Sequence, residues 1–459
     1  MNAKLQRYRD IAKLAAPIAG IQFAQVALTS TDLLMMGFIS IKAIAGGGLA
    51  LLLYNQLRTM CVGMVTATGN LIATAVGQSE KRTGTRSIDA LACHEIRGLM
   101  RASMLLATGI AVGAGLLLVC LGRSLEWLGQ DASIRAVARP VMSMLAPGLI
   151  PMLWLNVLRQ FSIGMRRAGS LLTITVLSIA VNAILNATFI YGWLGMPRLG
   201  AAGIGLSTTL VQTWSLLVYL RIVRADPDLR ALLALDGWRA QAATIKRMAS
   251  MGVPIALTYG SEAALTSIAT VFVGTFGPIA LAASNIVNQL AYIVYQLNIG
   301  LSHGSSILVS RTVGTGQQQD IGAIAKQTLA ISFGIMAVIG LVYILIPRAV
   351  LRPFLGAHAN PALFATATAL LWFAVAHQFL KGSQNICVGL LRGLGNTRAG
   401  LTSTFIGYWL IGVPAMAIFG YWIDWRAQGV WLGLCIGFFA ASLLLWRQFS
   451  AELRLTACN

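Results

Sequence analysis

LAAPIAGIQFAQVALTSTDLLMMG, residues 14–37, and MGVPIALTYGSEAALTSIATVFVG, residues 251–274, open two segments that overlie one another without a gap. The match runs over 14–77 against 251–314 at a constant offset of 237. Pro17, Ile18 and Ala19 meet Pro254, Ile255 and Ala256, and Ala27-Leu-Thr-Ser30 meets Ala264-Leu-Thr-Ser267. Gly37 meets Gly274, Ala43 meets Ala280, Gly63 meets Gly300, and Val76-Gly77 meets Val313-Gly314. Two similar halves inside one membrane chain predict two bundles facing a shared cavity, the plan of many transporters.

The membrane setting follows from composition. The 459 residues are 57% hydrophobic and 10% charged, against roughly 25% charged in soluble proteins. Mean hydropathy is +0.75. Apolar stretches long enough to cross a bilayer as helices recur along the chain. Twelve are counted, at 12–38, 46–76, 102–121, 136–157, 170–193, 202–221, 249–275, 279–311, 327–346, 362–391, 400–420 and 429–446. They lack the strict alternation of barrel strands, so helices satisfy the backbone in lipid. The expected fold is an all-α polytopic membrane protein of twelve transmembrane helices in two pseudo-symmetric six-helix bundles. With an even number of spans per half, the halves share one orientation and are related by an axis along the membrane normal. The expected divisions are an N-terminal lobe at 1–223, a cytoplasmic linker at 224–245 with a short amphipathic helix, and a C-terminal lobe at 246–459.

The net charge of +20 raises nucleic acid as a partner, and its placement argues against that. With both termini cytoplasmic, 24 Lys and Arg fall on the inner side and 8 on the outer, with Arg58 and Lys381 left inside helices. That bias is the positive-inside rule, so the basic charge sets topology. The basic start followed by an apolar run imitates a signal peptide, but the run is long, carries Asp32 and is repeated from 251, so it reads as the first helix. The six cysteines show no metal spacing and read as free thiols. Gly195-Met-Pro-Arg-Leu-Gly200 and Gly393-Leu-Gly-Asn396 read as ordinary helix connections.

Of 14 acidic residues, 12 fall in loops, termini or helix ends; Asp32 and Glu262 lie inside apolar helices. They are not equivalent positions, since Asp32 aligns with Ala269 and Glu262 with Gln25. An acid in lipid costs at least about 2.5 kcal/mol on insertion scales, so it normally faces a polar cavity and has a task. It suits a proton site, and with oxygen neighbours it suits Na⁺ equally. Asn182 and Asn186, four apart, project from one helix face and can form a polar cluster with Asp32, or simply bond helices together. Lys381 precedes Arg392 by eleven residues, which sets it about 16 Å deep, near mid-membrane. A buried pair with Glu262 is the economical explanation, with His377 one turn away in the same network. Arg58 is mid-helix too, and lines a cavity or pairs with an acid. Met35, Met36, Trp154, Phe161 and Tyr259 offer adaptable apolar contacts to a substrate, or simply pack. Pro17 is a candidate bend point in the first helix.

With these residues placed, the chain resembles the multidrug and toxic compound extrusion (MATE) family, in its NorM-like branch, over nearly its whole length. The likeness rests on Leu14-Ala-Ala-Pro17 with Thr31-Asp32 and on Val76-Gly77-Gln78. It continues in Asn182, Asn186, Tyr191-Gly192, Met196-Pro197, Gly200, Gly203 and Gly205. Pro254 with Ser261-Glu262, and Gly389-Leu-Leu-Arg392-Gly393 with Asn396-Thr397, complete it. The resemblance implies two six-helix lobes around a V-shaped cleft, and secondary active export of bulky, often cationic drug-like compounds against inward H⁺ or Na⁺. It implies no cofactor, a monomer in membrane lipid, and a bacterial inner-membrane location. The family's first-helix acid maps to Asp32, its fifth-helix partners to Asn182 and Asn186, and its seventh-helix acid to Glu262. Where the branch usually has an aspartate in helix ten, this chain has Lys381, with His377 replacing an aromatic one turn earlier. The lysine supplies the charge Na⁺ would supply, so coupling is expected through Asp32, with protons.

The rival readings are a lipid-linked oligosaccharide flippase of the same broad fold group, an intramembrane enzyme and a channel. A flippase calls for extra helices and a strongly basic cleft, whereas only Arg58 and Lys381 lie in mid-membrane. An enzyme calls for a nucleophile–base pair, paired aspartates or metal ligands, but His94, His303, His358 and His377 are scattered. No stretch resembles an ion filter.

Overall fold

The protein, seen in a computed structural model, is described over residues 3–127, 131–167, 169–355 and 361–458; His358 lies outside them. Long helices follow one another. They are α1 (Ala3–Gly37), α2 (Ile41–Thr83), α3 (Ala90–Ser124), α4 (Ala132–Leu145), α5 (Leu149–Gly164), α6 (Gly169–Tyr191) and α7 (Ala201–Ala225). Short α8 (Pro227–Leu232) precedes α9 (Ala242–Gly274), α10 (Pro278–Thr315), α11 (Ile321–Leu345) and α12 (Pro347–Leu355). Then come α13 (Pro361–Gly393), α14 (Thr397–Phe405), α15 (Val413–Ala417) and α16 (Arg426–Cys458). A 3-10 turn joins α4 to α5, making one long hydrophobic rod. Among the described residues there is no strand.

Helix ends are written in the local sequence. Ser40 caps α2 by accepting from the Ala43 N–H at 3.0 Å, and Gly84 ends it at φ 65°, a left-handed conformation that suits glycine. Asp89 and Asp131 cap α3 and α4. Pro17 and Pro254 sit inside α1 and α9, which continue through them. Either side of α15, residues 406–412 and 418–422 take the wider π-helical winding, with Pro414 between them, where no N–H is available for a regular bond.

Eleven helices among the described residues are long and apolar enough to cross a membrane. Each of the twelve expected stretches is helical, but α10 falls outside the eleven. Its buried side carries Ser284, Gln296, Asn298, Ser302, His303, Ser305, Ser306 and Ser310. Polar groups bonded to neighbouring helices lower its hydropathy without stopping it from packing. The short helix expected after the first half is α8; Leu229 and Leu232 are buried, and Arg167 pairs with Asp226 and Asp228.

The chain groups into two compact units. One comprises residues 20–256; its core includes Val65, Ile72, Ile96, Met100, Leu153, Phe161 and Tyr219. Within it α9 approaches α2 closely: a Cβ on Gly63 would lie 2.7 Å from Ala256 Cα. The other unit comprises residues 1–19 and 257–459, with Val287, Leu370, Tyr408, Trp431 and Phe438 in its core. There α1 approaches α10 in the same manner, since a Cβ on Gly300 would lie 2.7 Å from Ala19 Cβ.

Candidate functional site

In the unit of residues 20–256, Asp32 is 2% exposed on the last turns of α1. Asn186 on α6 donates from Nδ2 to Asp32 Oδ1 at 2.8 Å, and from the same nitrogen to Asn182 Oδ1 at 3.1 Å. The four-residue spacing places both amides on one face, as the helix period requires. The single Thr208 hydroxyl proton on α7 is shared between Asp32 Oδ2 at 3.2 Å and the Ile204 carbonyl at 3.0 Å. Each carboxylate oxygen therefore has a donor, and no cation forms an ion pair with it among the described residues. Asn186 Oδ1 and Asn182 Nδ2 remain buried without partners, which is costly in a packed interior and leaves an open acceptor and an open donor beside the acid. Tyr54 on α2 is 3% exposed with an unbonded hydroxyl, and it lies within electrostatic reach of Arg58 and Asp32.

In the other unit, Glu262 on α9 is 8% exposed. Lys381 Nζ on α13 lies 3.0 Å from Glu262 Oε1. The ammonium also stands 4.1 Å from the Tyr295 ring centroid and 5.5 Å from that of Phe438, geometry in which ring quadrupoles attract a cation. Asn385 fixes Tyr295 by donating to its hydroxyl at 2.8 Å. The pair and its aromatic walls form a self-neutralised site.

The remaining residues singled out in the sequence divide. His377 is not hydrogen-bonded to Lys381; it packs edge-on against Phe438 at 4.9 Å and Trp431 at 5.8 Å, with Nδ1 unpartnered. Tyr259 accepts from Arg392 Nη1 at 3.1 Å and lies 3.4 Å from His303 Nε2, so it is engaged in a polar network. Met36 is fully buried with its sulfur against Gly47; it fills the room a missing side chain leaves and is core rather than cleft. Met35 and Trp154 pack on the same core, and Trp154 donates to Thr108 at 2.9 Å. Phe161 is fully buried core. Among the described residues, Arg58 donates only from Nη1 to Asn55 Oδ1 at 3.4 Å. Arg159 and Arg392, counted with the inner basic residues, are buried at 5% and 2% exposure, bonded to Gln22 and Tyr259 respectively. Gln22 and Tyr259 are matched positions of the repeat.

Thr208, Tyr54 and Tyr295 are the site neighbours that sequence reasoning missed. Thr208 is one of many hydroxyls on apolar helices and carries no signal by itself. Tyr295 had one: it stands 237 positions after Arg58, so the repeat itself pairs the two.

A family model described as MatE matches residues 17–188 and 254–418. The chain is 33% identical over 457 residues to "Probable multidrug resistance protein NorM" of Pseudomonas aeruginosa, covering 98% of this chain and 90% of that protein. It is 32% identical over 451 residues to a protein of the same name from Pseudomonas syringae pv. tomato, with 96% and 94% covered. Among solved structures, the outward-facing conformation of a multidrug resistance MATE family transporter of the MOP superfamily superposes with TM-score 0.85 at 17% identity, both chains covered completely at 100%. The Vibrio cholerae MATE transporter VcmN in the bent form gives TM-score 0.83 at 15% identity, with 99% of each chain covered. At those identities the structural likeness establishes the fold.

Proposed function

Because the chain belongs to the MatE family, we propose that it is a secondary active antiporter exporting bulky, often cationic organic compounds across the bacterial inner membrane. Inward flow of H⁺ or Na⁺ drives the export, and the protein works as a monomer in lipid. The observation that carries the coupling role is Asp32: buried, supplied with donors by Asn186 and Thr208, and without a cation partner among the described residues. Glu262 is already matched by Lys381. That contrast supports a division of labour in which the loading site is Asp32 and the second acid is neutralised by the chain itself.

Protons suit this arrangement. An ionised Asp32 takes the two donors. A protonated one needs an acceptor for its new O–H, and Asn186 Oδ1 stands open beside it. Loading thus exchanges one set of hydrogen bonds for another and gives the lobe two states. A gradient can do work only through a difference in proton affinity between those states.

The test is dye uptake into inside-out proteoliposomes under a proton gradient. Asp32→Asn keeps the size of the side chain and removes the titrating group. It is expected to abolish uphill transport while leaving dye binding measurable; uphill transport at the wild-type rate would reject the proposal. Dye-triggered release of H⁺ as against Na⁺, followed in the same vesicles, decides the ion.

A further inference from the structure

Arg58 stands near the middle of α2 (Ile41–Thr83), a span of mostly buried apolar residues. A guanidinium at that depth costs several kcal/mol unless water, an acid or a ligand meets it. No carboxylate lies within ion-pair distance of it among the described residues. Its hydrogen bond to Asn55 is donated by Nη1 at 3.4 Å, the long end of the range. Nε is buried and has no acceptor. Asp32 does not supply one: among the described residues its oxygens accept from Asn186 and Thr208 and make no bond to the Arg58 guanidinium. Tyr54, one turn before Arg58 on the same helical face, has an unbonded buried hydroxyl. Two unsatisfied donors therefore stand together, four residues apart, in the interior of one unit.

The other unit shows what this position does when its needs are met. Tyr295, matched to Arg58 by the repeat, is the wall against which the Lys381 ammonium rests at 4.1 Å. Position 58 therefore corresponds to a place that touches charge in the second repeat: an aromatic face rests against a cation there, and the charge is carried by the side chain itself here.

We propose that Arg58, assisted by the Tyr54 hydroxyl, forms the subsite that binds the carboxylate of a transported compound and sets the preference for substrates that carry one. This rests on the reading that the chain exports organic compounds. The fork of a guanidinium matches a carboxylate with two parallel N–H···O bonds, and Tyr54 can add a third. The carboxylate satisfies donors that are otherwise left bare, which is why the interaction selects: a substrate lacking the acid leaves them unpaired again.

The experiment uses the full chain, purified, and a matched pair of dyes: a rhodamine with a free carboxylate and the methyl ester of the same dye. Fluorescence anisotropy gives the two affinities. The wild type is expected to bind the free acid at least about tenfold more tightly than the ester. Arg58→Gln is expected to bring that ratio close to one, and Arg58→Lys, a point charge without the fork, to leave it in between. Equal affinities in the wild type, or a ratio unchanged in Arg58→Gln, overturn the proposal. If Arg58→Gln fails to fold, the wild-type ratio and Arg58→Lys decide. Uphill transport of the ester by the wild type is scored separately: transport without any preference for the acid overturns this inference alone, and absence of transport with the preference intact overturns the transport reading alone.

Discussion

Lys381 and Glu262 show how far one side chain can redefine a site. The two charges are 3.0 Å apart, with side chains 14% and 10% exposed, so water screens them little. Neither is comfortable alone in that interior. Lys381→Met leaves an unpaired buried carboxylate and is expected to lower stability by about 3–5 kcal/mol. Lys381→Met combined with Glu262→Gln removes both charges and is expected to recover most of that loss. Thermal unfolding of both variants in detergent checks it; a double variant no more stable than the single one would mean that the two side chains are not coupled. Asp32 and Glu262 were legible as residues, because an acid inside an apolar run stands out against its neighbours. The Lys381–Glu262 contact was legible too, as two opposite charges that lipid forces to find one another. Thr208 was not legible: a hydroxyl that bonds its own helix at Ile204 and an acid across the bundle at once looks the same in sequence as one that bonds only its helix. Met36 misled for a related reason. Polarisability suits a cleft and a core equally, and the glycine at 47 that makes room for it is eleven residues away.

Helix ends and crossings carry the next level. Asp89 caps α3 by accepting from the Ala92 N–H at 2.9 Å and takes two bonds from Arg82 at 2.6 and 2.9 Å. The Arg82 guanidinium, with the Ala92 N–H, holds its carboxyl well below the usual carboxylate range. Its support for the first turn is therefore fully present above the unfolded carboxyl value, about 4, and disappears only as pH falls through the depressed folded value. Amide exchange of residues 90–93 is expected to stay slow down to about pH 4, after correction for intrinsic rates, and to become several-fold faster at neutral pH in Asp89→Ala. Unchanged protection in that variant would show that the cap is idle. Gly300 governs a crossing rather than an end. A methyl there would sit 2.7 Å from Ala19 Cβ and 2.8 Å from the Ala15 carbonyl oxygen, so Gly300→Ala must push α1 away from α10 and is expected to cost about 1–3 kcal/mol. Adding Ala19→Gly returns part of the room, and a melt showing no rescue would place the strain elsewhere. The matched positions Gly63 and Ala256 make the same crossing in the other unit, which gives a physical reason for a glycine at both places in the repeat. Spans were readable from hydropathy wherever lipid is the solvent. For α10 the run of Ser, Asn, Gln and His on its buried side dilutes the signal, since a helix walled by other helices is chosen for its bonds as much as for its apolar surface.

For the whole molecule, the distribution of basic residues makes the strongest statement about orientation, and it survives correction. Arg159 and Arg392 are buried within α5 and α13 and do not count as loop charges. Removing them from the 24 inner residues leaves 22 against 8 outside. Several of those that remain are held by acids: Arg82 by Asp89, Arg101 by Asp236, Arg167 by Asp226 and Asp228, and Arg7 by Asp320. Pairing of this kind does not cancel the topological effect, since acids weigh little in the rule. Both termini are therefore expected in the cytoplasm. A green fluorescent protein fused after Asn459 should glow, and alkaline phosphatase fused at the same point should be inactive. The opposite pair of results would invert every sidedness drawn from the chain: the dye would have to be offered from the other face, and the proton that loads Asp32 would enter from the compartment it is now expected to leave for.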